Sequence, residues 1–391
     1  MKLLFLTSRF PYPLEKGDKL RAYYFIKHLS KNHEIYLFAV NENNPDEKSL
    51  EELRPFCKAI EIVKISKFQS IVNLIKAVFQ KNIPFQTAYF TSKKGKAQLK
   101  AFNKQHQPDA VFCHLLRMGE YMQDNKIENS LLDYMDTFSI GMKRYAESAS
   151  TIMRLPSKLE YKRLLHYENK LFSQFKNKII ISKQDQSYIP HKDNKSIAII
   201  PNGVDADFYQ SNNSEKKYDL LFIGNLSYAP NIFAIKYAAE QIMPLLSNLK
   251  LAVVGATPTE EISKLQSSNI EVIGWVDDSR DAFNQSRIMI APMFISIGLQ
   301  NKILQAMAME IPCIISSMAN NALGAAPEKE VLIADTPEEF KNQINRLLND
   351  EVLYQTIKIN ARNFILKNFN WTENIEKINL LLSNNTGQKA Q

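Results

Sequence analysis

Short apolar runs alternate with amphipathic stretches along almost the whole chain, and this alternation restricts the fold more than any other feature. Strands are expected at 2–7, 34–40, 59–65, 110–114, 130–134 and 178–182, then at 196–200, 218–223, 250–254, 271–274, 288–291 and 313–316. Helices are expected between them at 19–31, 46–58, 70–80, 93–105, 119–125, 139–147 and 156–174. In the second half they are expected at 230–246, 258–266, 280–285, 301–309, 337–349 and 353–368. Strands separated by helices imply parallel sheets covered on both faces. A chain of 391 residues exceeds one core, so two such domains are expected. The polar stretches 184–195 and 210–217 bracket a hinge, and the division is drawn as 1–185 and 186–369. A last amphipathic helix, 371–383, and a small polar tail, 384–391, form a third segment, 370–391, with the helix crossing back to the first domain. Ligands of such sheets bind outside the carboxyl ends of the strands, here in a central cleft that the two domains face.

Hydrophobic residues make up 45% of the chain and charged ones 23%, the balance of a soluble globular protein. Cys57, Cys113 and Cys313 lie far apart without metal-ligand spacing, which argues for reduced thiols in a cytoplasmic setting. The N-terminal apolar run is too short for a signal peptide and reads as the first strand, and no run suffices to cross a membrane. The net charge of +8 is unevenly placed. Residues 64–108 hold nine lysines and neither Asp nor Glu. Ile71, Leu74, Ile75, Val78 and Phe79 form a helical apolar stripe there, flanked by Lys67, Lys76 and Lys81. Two readings stay open: a helix lying on an anionic membrane at the inner face of the cell, or a core-facing helix with a solvated lysine face. Nucleic acid is disfavoured, because arginine is scarce in the segment and no nucleic-acid motif accompanies it.

Residues 296–317 read as a loop around Gly298, a helix from Asn301 ended by Pro312, and a buried strand. The first turn of a helix has free N–H groups and a positive dipole end, so Leu299, Gln300, Asn301 and Lys302 sit at the mouth of an anion site. The diphosphate of a sugar nucleotide is a group that such a mouth can hold. A second loop, after the first strand, runs Ser8-Arg9-Phe10-Pro11-Tyr12-Pro13 to Lys16-Gly17-Asp18 and Arg21. Gly17 admits close backbone approach to a phosphate or sugar. Asp18 also reads as a plain helix cap.

Several ordered segments then carry a resemblance. They are the 8–21 loop, Leu132-Asp133-Tyr134-Met135-Asp136, Pro201-Asn202-Gly203-Val204-Asp205, Phe222-Ile223-Gly224-Asn225, Val253-Val254-Gly255-Ala256, Gly274-Trp275-Val276-Asp277-Asp278 and Gln300-Asn301-Lys302 with Ala306-Met307-Ala308. Together they resemble the GT-B glycosyltransferases of family 4, nearest to bacterial sugar transferases of exopolysaccharide and PEP-CTERM gene clusters. The resemblance implies an α/β GT-B fold of two Rossmann-like domains, the N-terminal one on the acceptor side and the C-terminal one binding a nucleotide sugar. It also implies retaining transfer without a metal or other cofactor. Partners are then a nucleotide-sugar donor and a saccharide or lipid-linked acceptor.

The resemblance also implies roles. Gly17 and Gly224 approach the donor, Gly274, Trp275 and Val276 hold the nucleotide base, and His114 lies beside the reacting sugar. Asp133 and Asp136 orient acceptor hydroxyls or act as base. Bland readings stand beside these: His114 as the cap of a strand end, and the two aspartates as turn residues satisfying local N–H groups. The chain departs from the family pattern at five places. Asn225 and Asn231 stand where an arginine and a lysine neutralise the diphosphate, and Ile297 and Gln305 replace the paired glutamates. Gln305 can still bond ribose hydroxyls without charge assistance. Lys302, Arg21, Lys16 or Arg9 are left to neutralise the phosphates. Glu310 replaces the glycine that ends the helix.

Three functions follow. The first is transfer of a sugar from a nucleotide diphosphate to a cell-surface polysaccharide or lipid-linked acceptor. The second is a non-catalytic GT-B subunit of a polysaccharide assembly complex. The third is another GT-B enzyme such as an epimerase, which six histidines in the whole chain support poorly.

Overall fold

The computed structural model describes residues 1–383 apart from 81, 124, 126, 149–150, 213 and 296–297. The chain divides into two compact units, 1–201 with 371–391, and 202–370. The first holds the strands β1 (Lys2–Thr7), β2 (Glu34–Asn41), β3 (Cys57–Lys64), β4 (Ala110–His114), β5 (Ser130–Asp133), β6 (Asn177–Ile180) and β7 (Ala198–Ile199). They form one sheet in the order β3-β2-β1-β4-β5-β6-β7 with parallel pairing throughout. The apolar run of β1 is buried on both faces, as a central parallel strand requires. Leu3 and Phe5 pack with Phe25, Phe112 and the C-terminal helix, while Leu4 and Leu6 pack with Phe38, Tyr121 and Leu132. The helix Trp371–Ser383 belongs to this unit. Trp371 stacks on Tyr24 at 5.0 Å, and Ile375, Ile378 and Leu382 enter the same core.

Residues 186–201, placed in the second half from sequence, belong to the first unit because β7 pairs with β6. The polar stretch 184–195 begins with a short helix, Lys183–Tyr188, which Ser182 caps. The helix expected over 46–58 stops at Leu53, because Pro55 lacks the N–H that a longer helix needs, and β3 starts at Cys57. The helix expected from 156 begins at Thr151 instead. Pro156 is the sixth residue of that helix.

The amphipathic helix Lys67–Phe79 settles one open reading. It buries only the small Ser70 and Ala77 and leaves Phe68, Ile71, Ile75, Val78 and Phe79 exposed, Phe79 by 83%. The stripe is therefore not core-facing. Lys67 and Lys76 are also exposed, whereas Lys81 lies outside the described residues. The N-terminal turns of Thr151–Gln174 add exposed Ile152, Met153, Leu155 and Leu159 beside it. Arg163 ties the two helices together, donating to the carbonyls of Ala77 at 2.7 Å and Val78 at 3.2 Å.

The second unit holds β8 (Tyr218–Ile223), β9 (Leu251–Val254), β10 (Ile270–Gly274), β11 (Ser286–Ala291), β12 (Cys313–Ile315) and β13 (Leu332–Ile333). They form a parallel sheet in the order β10-β9-β8-β11-β12-β13. Strand order reverses between β1 and β4 in one unit and between β8 and β11 in the other. These are the topological switch points at which open α/β sheets bind ligands. No helix among the described residues is long and apolar enough to cross a membrane.

Candidate functional site

At the switch point of the second unit, three adjacent strands end in glycines. Gly224 follows β8, Gly255 follows β9, and Gly274 closes β10 with its carbonyl accepting from the Gly255 N–H at 2.7 Å. A Cβ on Gly255 would lie 1.6 Å from the Gly224 carbonyl oxygen, so only glycine lets these strand ends meet. Beyond them runs the helix Asn301–Ala308, whose first turn no side chain caps. Ile303 and Leu304 N–H groups bond back to Gln300, and Gln300 Nε2 closes onto the Gly298 carbonyl at 3.2 Å. Asn202, wholly buried, donates to Asn301 Oδ1 at 2.8 Å and fixes where the helix starts. Leu299 is buried beneath it.

Lys302 rises from this first turn over the Phe222 ring, 4.3 Å from its centroid, to reach Asn231 Oδ1 at 2.6 Å. Asn231 donates in turn to the Asn225 carbonyl at 2.8 Å. Burial pushes the Lys302 ammonium down to about 7, and no carboxylate pairs with it among the described residues. The cation missing from position 231 is thus supplied to that spot from position 302. A half-buried ammonium beside a glycine strand end and an uncapped helix N-terminus is a receptor for an anion.

Other expected groups are placed less directly. The Asn225 side chain closes a turn with Ser227, its Oδ1 accepting from the Ser227 N–H at 2.8 Å and hydroxyl at 2.7 Å. Gln305 donates to the Tyr209 hydroxyl at 2.8 Å. Trp275 is 62% exposed on the loop after β10 and bonds Asp277, with Val276 half-buried behind it. Ile297 lies outside the described residues. Glu310 does take the left-handed conformation usual for glycine, with φ of 58°, and is held there by Lys358 at 3.4 Å and Arg362 at 3.7 Å.

At the switch point of the first unit, Arg21, His114 and Asp133 meet in the interior. Arg21 grips Asp133 through Nε at 2.8 Å and Nη2 at 3.0 Å, with both side chains fully buried. His114 Nδ1 lies 2.9 Å from Asp133 Oδ2, and its Nε2 lies 3.0 Å from the Asp18 carbonyl. Both ring nitrogens therefore lie against oxygen atoms of neighbouring residues. Burial alone would raise the Asp133 carboxyl, but Arg21 and His114 hold it well below the usual carboxylate range. With the Met135 N–H also bonded to it at 3.0 Å, Asp133 positions its neighbours, and Arg21 is spent on it rather than turned to solvent.

Asp136 differs. Burial and the charge of the neighbouring Asp185 push its carboxyl well above the usual carboxylate range, the direction that suits a general base. Asp185 is anchored by Ser182 and by the Thr137 N–H. Gly17 opens the helix Gly17–Leu29, which has no side-chain cap. Asp18 is no cap either: its carboxylate is engaged by Arg9 and lies 3.8 Å from Arg117. Arg117 and Asp185 were not legible as site residues from sequence. Their one signal is position, since Arg117 follows the end of β4 by three residues. Among the described residues, no three His, Cys, Asp or Glu side chains converge as a metal site.

Residues 217–350 match the family described as glycosyl transferases group 1. The capsular polysaccharide biosynthesis glycosyltransferase CapM of Staphylococcus aureus is 25% identical over 48% of this chain and 55% of its own length. The UDP-Gal:alpha-D-GlcNAc-diphosphoundecaprenol alpha-1,3-galactosyltransferase of Escherichia coli is 24% identical over 48% of this chain and 54% of its own. The chain thus spans about half the length of these two relatives. Sucrose-phosphate synthase from Thermosynechococcus elongatus superposes with a TM-score of 0.74 at 15% identity, over 97% of this chain and 98% of that one, a likeness of fold. Residues 217–350 are a glycosyl transferases group 1 domain, and the chain that carries them has the GT-B fold of two Rossmann-like domains.

Proposed function

We propose that this chain transfers a hexosyl group from a nucleotide-diphosphate sugar to a cell-surface polysaccharide or lipid-linked acceptor. The observation that carries the reading is Lys302, an ammonium without a carboxylate partner among the described residues, poised at the β8/β11 switch point inside the glycosyl transferases group 1 domain. The departing diphosphate develops negative charge, and a fixed cation with an uncapped helix N-terminus stabilises it there. Those groups neutralise the phosphates from within the protein, so the reading calls for no metal. Gly224 and Gly274 give the donor close backbone approach, and the 275–276 loop takes the base. Gln305 meets the ribose while Tyr209 orients its amide.

In the first unit His114 lies beside the reacting sugar, positioned by Asp133, and Asp136 faces the acceptor. Transfer with retention of the anomeric configuration follows the family resemblance. The CapM relative, named for capsular polysaccharide biosynthesis, and the Escherichia coli relative, named for a diphosphoundecaprenol acceptor, support an acceptor of this class.

A panel of nucleotide sugars, read by slow donor hydrolysis and by thermal shift with the matching nucleotides, tests the reading. One nucleotide should stabilise the protein with chelator present, and its sugar should be released. No response to any nucleotide would contradict it. Nucleotide binding without any turnover would favour the non-catalytic subunit instead.

The reading places the protein in the cytoplasm at the inner face of the membrane, held there by residues 64–108. The exposed stripe of Lys67–Phe79, with lysines beside it and no acid in the segment, matches an anionic bilayer. Each basic residue near such a surface contributes about 1 kcal/mol. The double change Lys67→Glu with Lys76→Glu should therefore lower binding to phosphatidylserine vesicles by more than about tenfold. Added salt should do the same to the unchanged protein. Vesicle binding that ignores both the substitutions and salt would contradict the surface.

A further inference from the structure

We infer that the acceptor bears an anionic group, a phosphate or a carboxylate, and that Arg9 and Arg117 hold it at the carboxyl ends of β1 and β4. The inference rests on the transfer reading above, because it names the chemistry of that reaction's acceptor.

Two guanidiniums share one carboxylate here. Arg9 bonds Asp18 Oδ2, and Arg117 Nη1 lies 3.8 Å from the same oxygen. Both also flank one ring, each 5.4 Å from the centroid of Phe90, and Arg117 lies 5.0 Å from that of Phe138. Among the described residues, Asp18 is the one carboxylate within ion-pair distance of either guanidinium. The other nearby acids have partners of their own: Asp133 is matched by Arg21, Glu160 accepts from the Phe85 N–H at 2.7 Å and the Gln86 N–H at 3.1 Å, and Glu42 accepts from the Tyr89 hydroxyl at 2.6 Å. Burial and repulsion from Arg9 push Arg117 down to about 10, against the opposing pull of Asp18, Asp136 and Glu160.

A second observation points the same way. The hydroxyls of Thr7 and Ser8, buried at the end of β1 and next in sequence to Arg9, find no hydrogen-bond partner among the described residues. Buried hydroxyls without partners are uncommon in a finished structure. Two guanidiniums sharing one carboxylate, and the unpartnered hydroxyls that lead from β1 into Arg9, therefore lie at the carboxyl ends of the strands that flank the switch point of this sheet. The planar arginine fork suits the paired oxygens of phosphate or carboxylate. Phe90 flanks both guanidiniums and Phe138 flanks that of Arg117, a partly apolar setting in which such pairs gain strength.

The test uses the full chain and three matched acceptors. One carries a sugar on decanol through a glycosidic bond, one carries the same sugar on decanol through a diphosphate, and one is the corresponding uronic acid glycoside of decanol. One of the two charged acceptors should bind at least about tenfold more tightly than the neutral one in calorimetry without donor, and the one preferred identifies the source of the anion. Arg117→Gln should bring the ratio of charged to neutral affinity towards one, and Arg117→Lys should restore part of it. Equal affinity for all three in the unchanged protein would overturn the inference. So would a loss under Arg117→Gln that falls equally on charged and neutral acceptors, as a purely structural role requires. Separate titrations distinguish the two readings: no binding of any nucleotide counts against transfer, whereas equal affinity of the unchanged protein for charged and neutral acceptors counts against the arginine site.

Discussion

Replacement of Lys302 by alanine weakens binding of the nucleoside diphosphate by about ten- to a hundredfold and removes transfer. The size follows from one charge-assisted hydrogen bond to a phosphate, about 1.5–3 kcal/mol, at about 1.4 kcal/mol per tenfold in affinity. Nothing nearby can substitute, because Asn225 is committed to its turn and Asn231 carries no charge. Calorimetric titration of the variant measures the loss, and an affinity equal to that of the unchanged protein contradicts it. The pH dependence has a definite sign. Burial holds free Lys302 at about 7, and a bound anion favours the ammonium and raises it. Binding above pH 7 therefore takes up a proton, and affinity falls as pH rises, by at most about tenfold per unit. Lys302→Arg, which stays charged, should flatten that dependence between pH 7.5 and 9.5.

The second large effect concerns stability. Asp133→Asn removes the carboxylate charge that the buried Arg21 guanidinium grips and should cost about 3–5 kcal/mol, read as a shift of the denaturant midpoint at constant slope. The pH profile has the sign of a depressed carboxylate. Asp133 ionises far more readily folded than unfolded, so its contribution is complete above about pH 4 and is lost as the medium becomes more acid. The variant should lose less stability than the unchanged protein on acidification. A midpoint that does not move would show that Arg21 is not held by this pair.

Much of the architecture was legible in the sequence because parallel strands buried on both faces leave unbroken apolar runs. Lys2–Thr7, Ala110–His114 and Tyr218–Ile223 have their expected limits for that reason. The two-residue strand Leu332–Ile333 and the short helices Phe85–Phe90, Lys183–Tyr188 and Ser317–Leu323 were not anticipated, being too brief to show a period. The glycines and the Asn301 helix were legible as a place where a ligand could sit. The partnerships were not, because they join residues far apart in sequence. Lys302 reaches Asn231 across 71 positions, and Arg21 reaches Asp133 across 112. Asp133 looked like a base at a strand end, and only its burial and its partners show a carboxylate already spent on holding Arg21 and His114. The outward face of the Lys67 helix was equally hidden, since an apolar stripe has the same spacing whether it meets a core or a surface.

The central claim is that Lys302 receives the donor's diphosphate at the β8/β11 switch point. A crystal structure of the full chain soaked with the nucleoside diphosphate that stabilises it tests this most directly. The account predicts a phosphate oxygen at about 2.7–2.9 Å from Lys302 Nζ, with the diphosphate against Gly224 and the start of the Asn301 helix. A nucleotide bound elsewhere in the second unit, with Lys302 still turned to Asn231 alone, would contradict it.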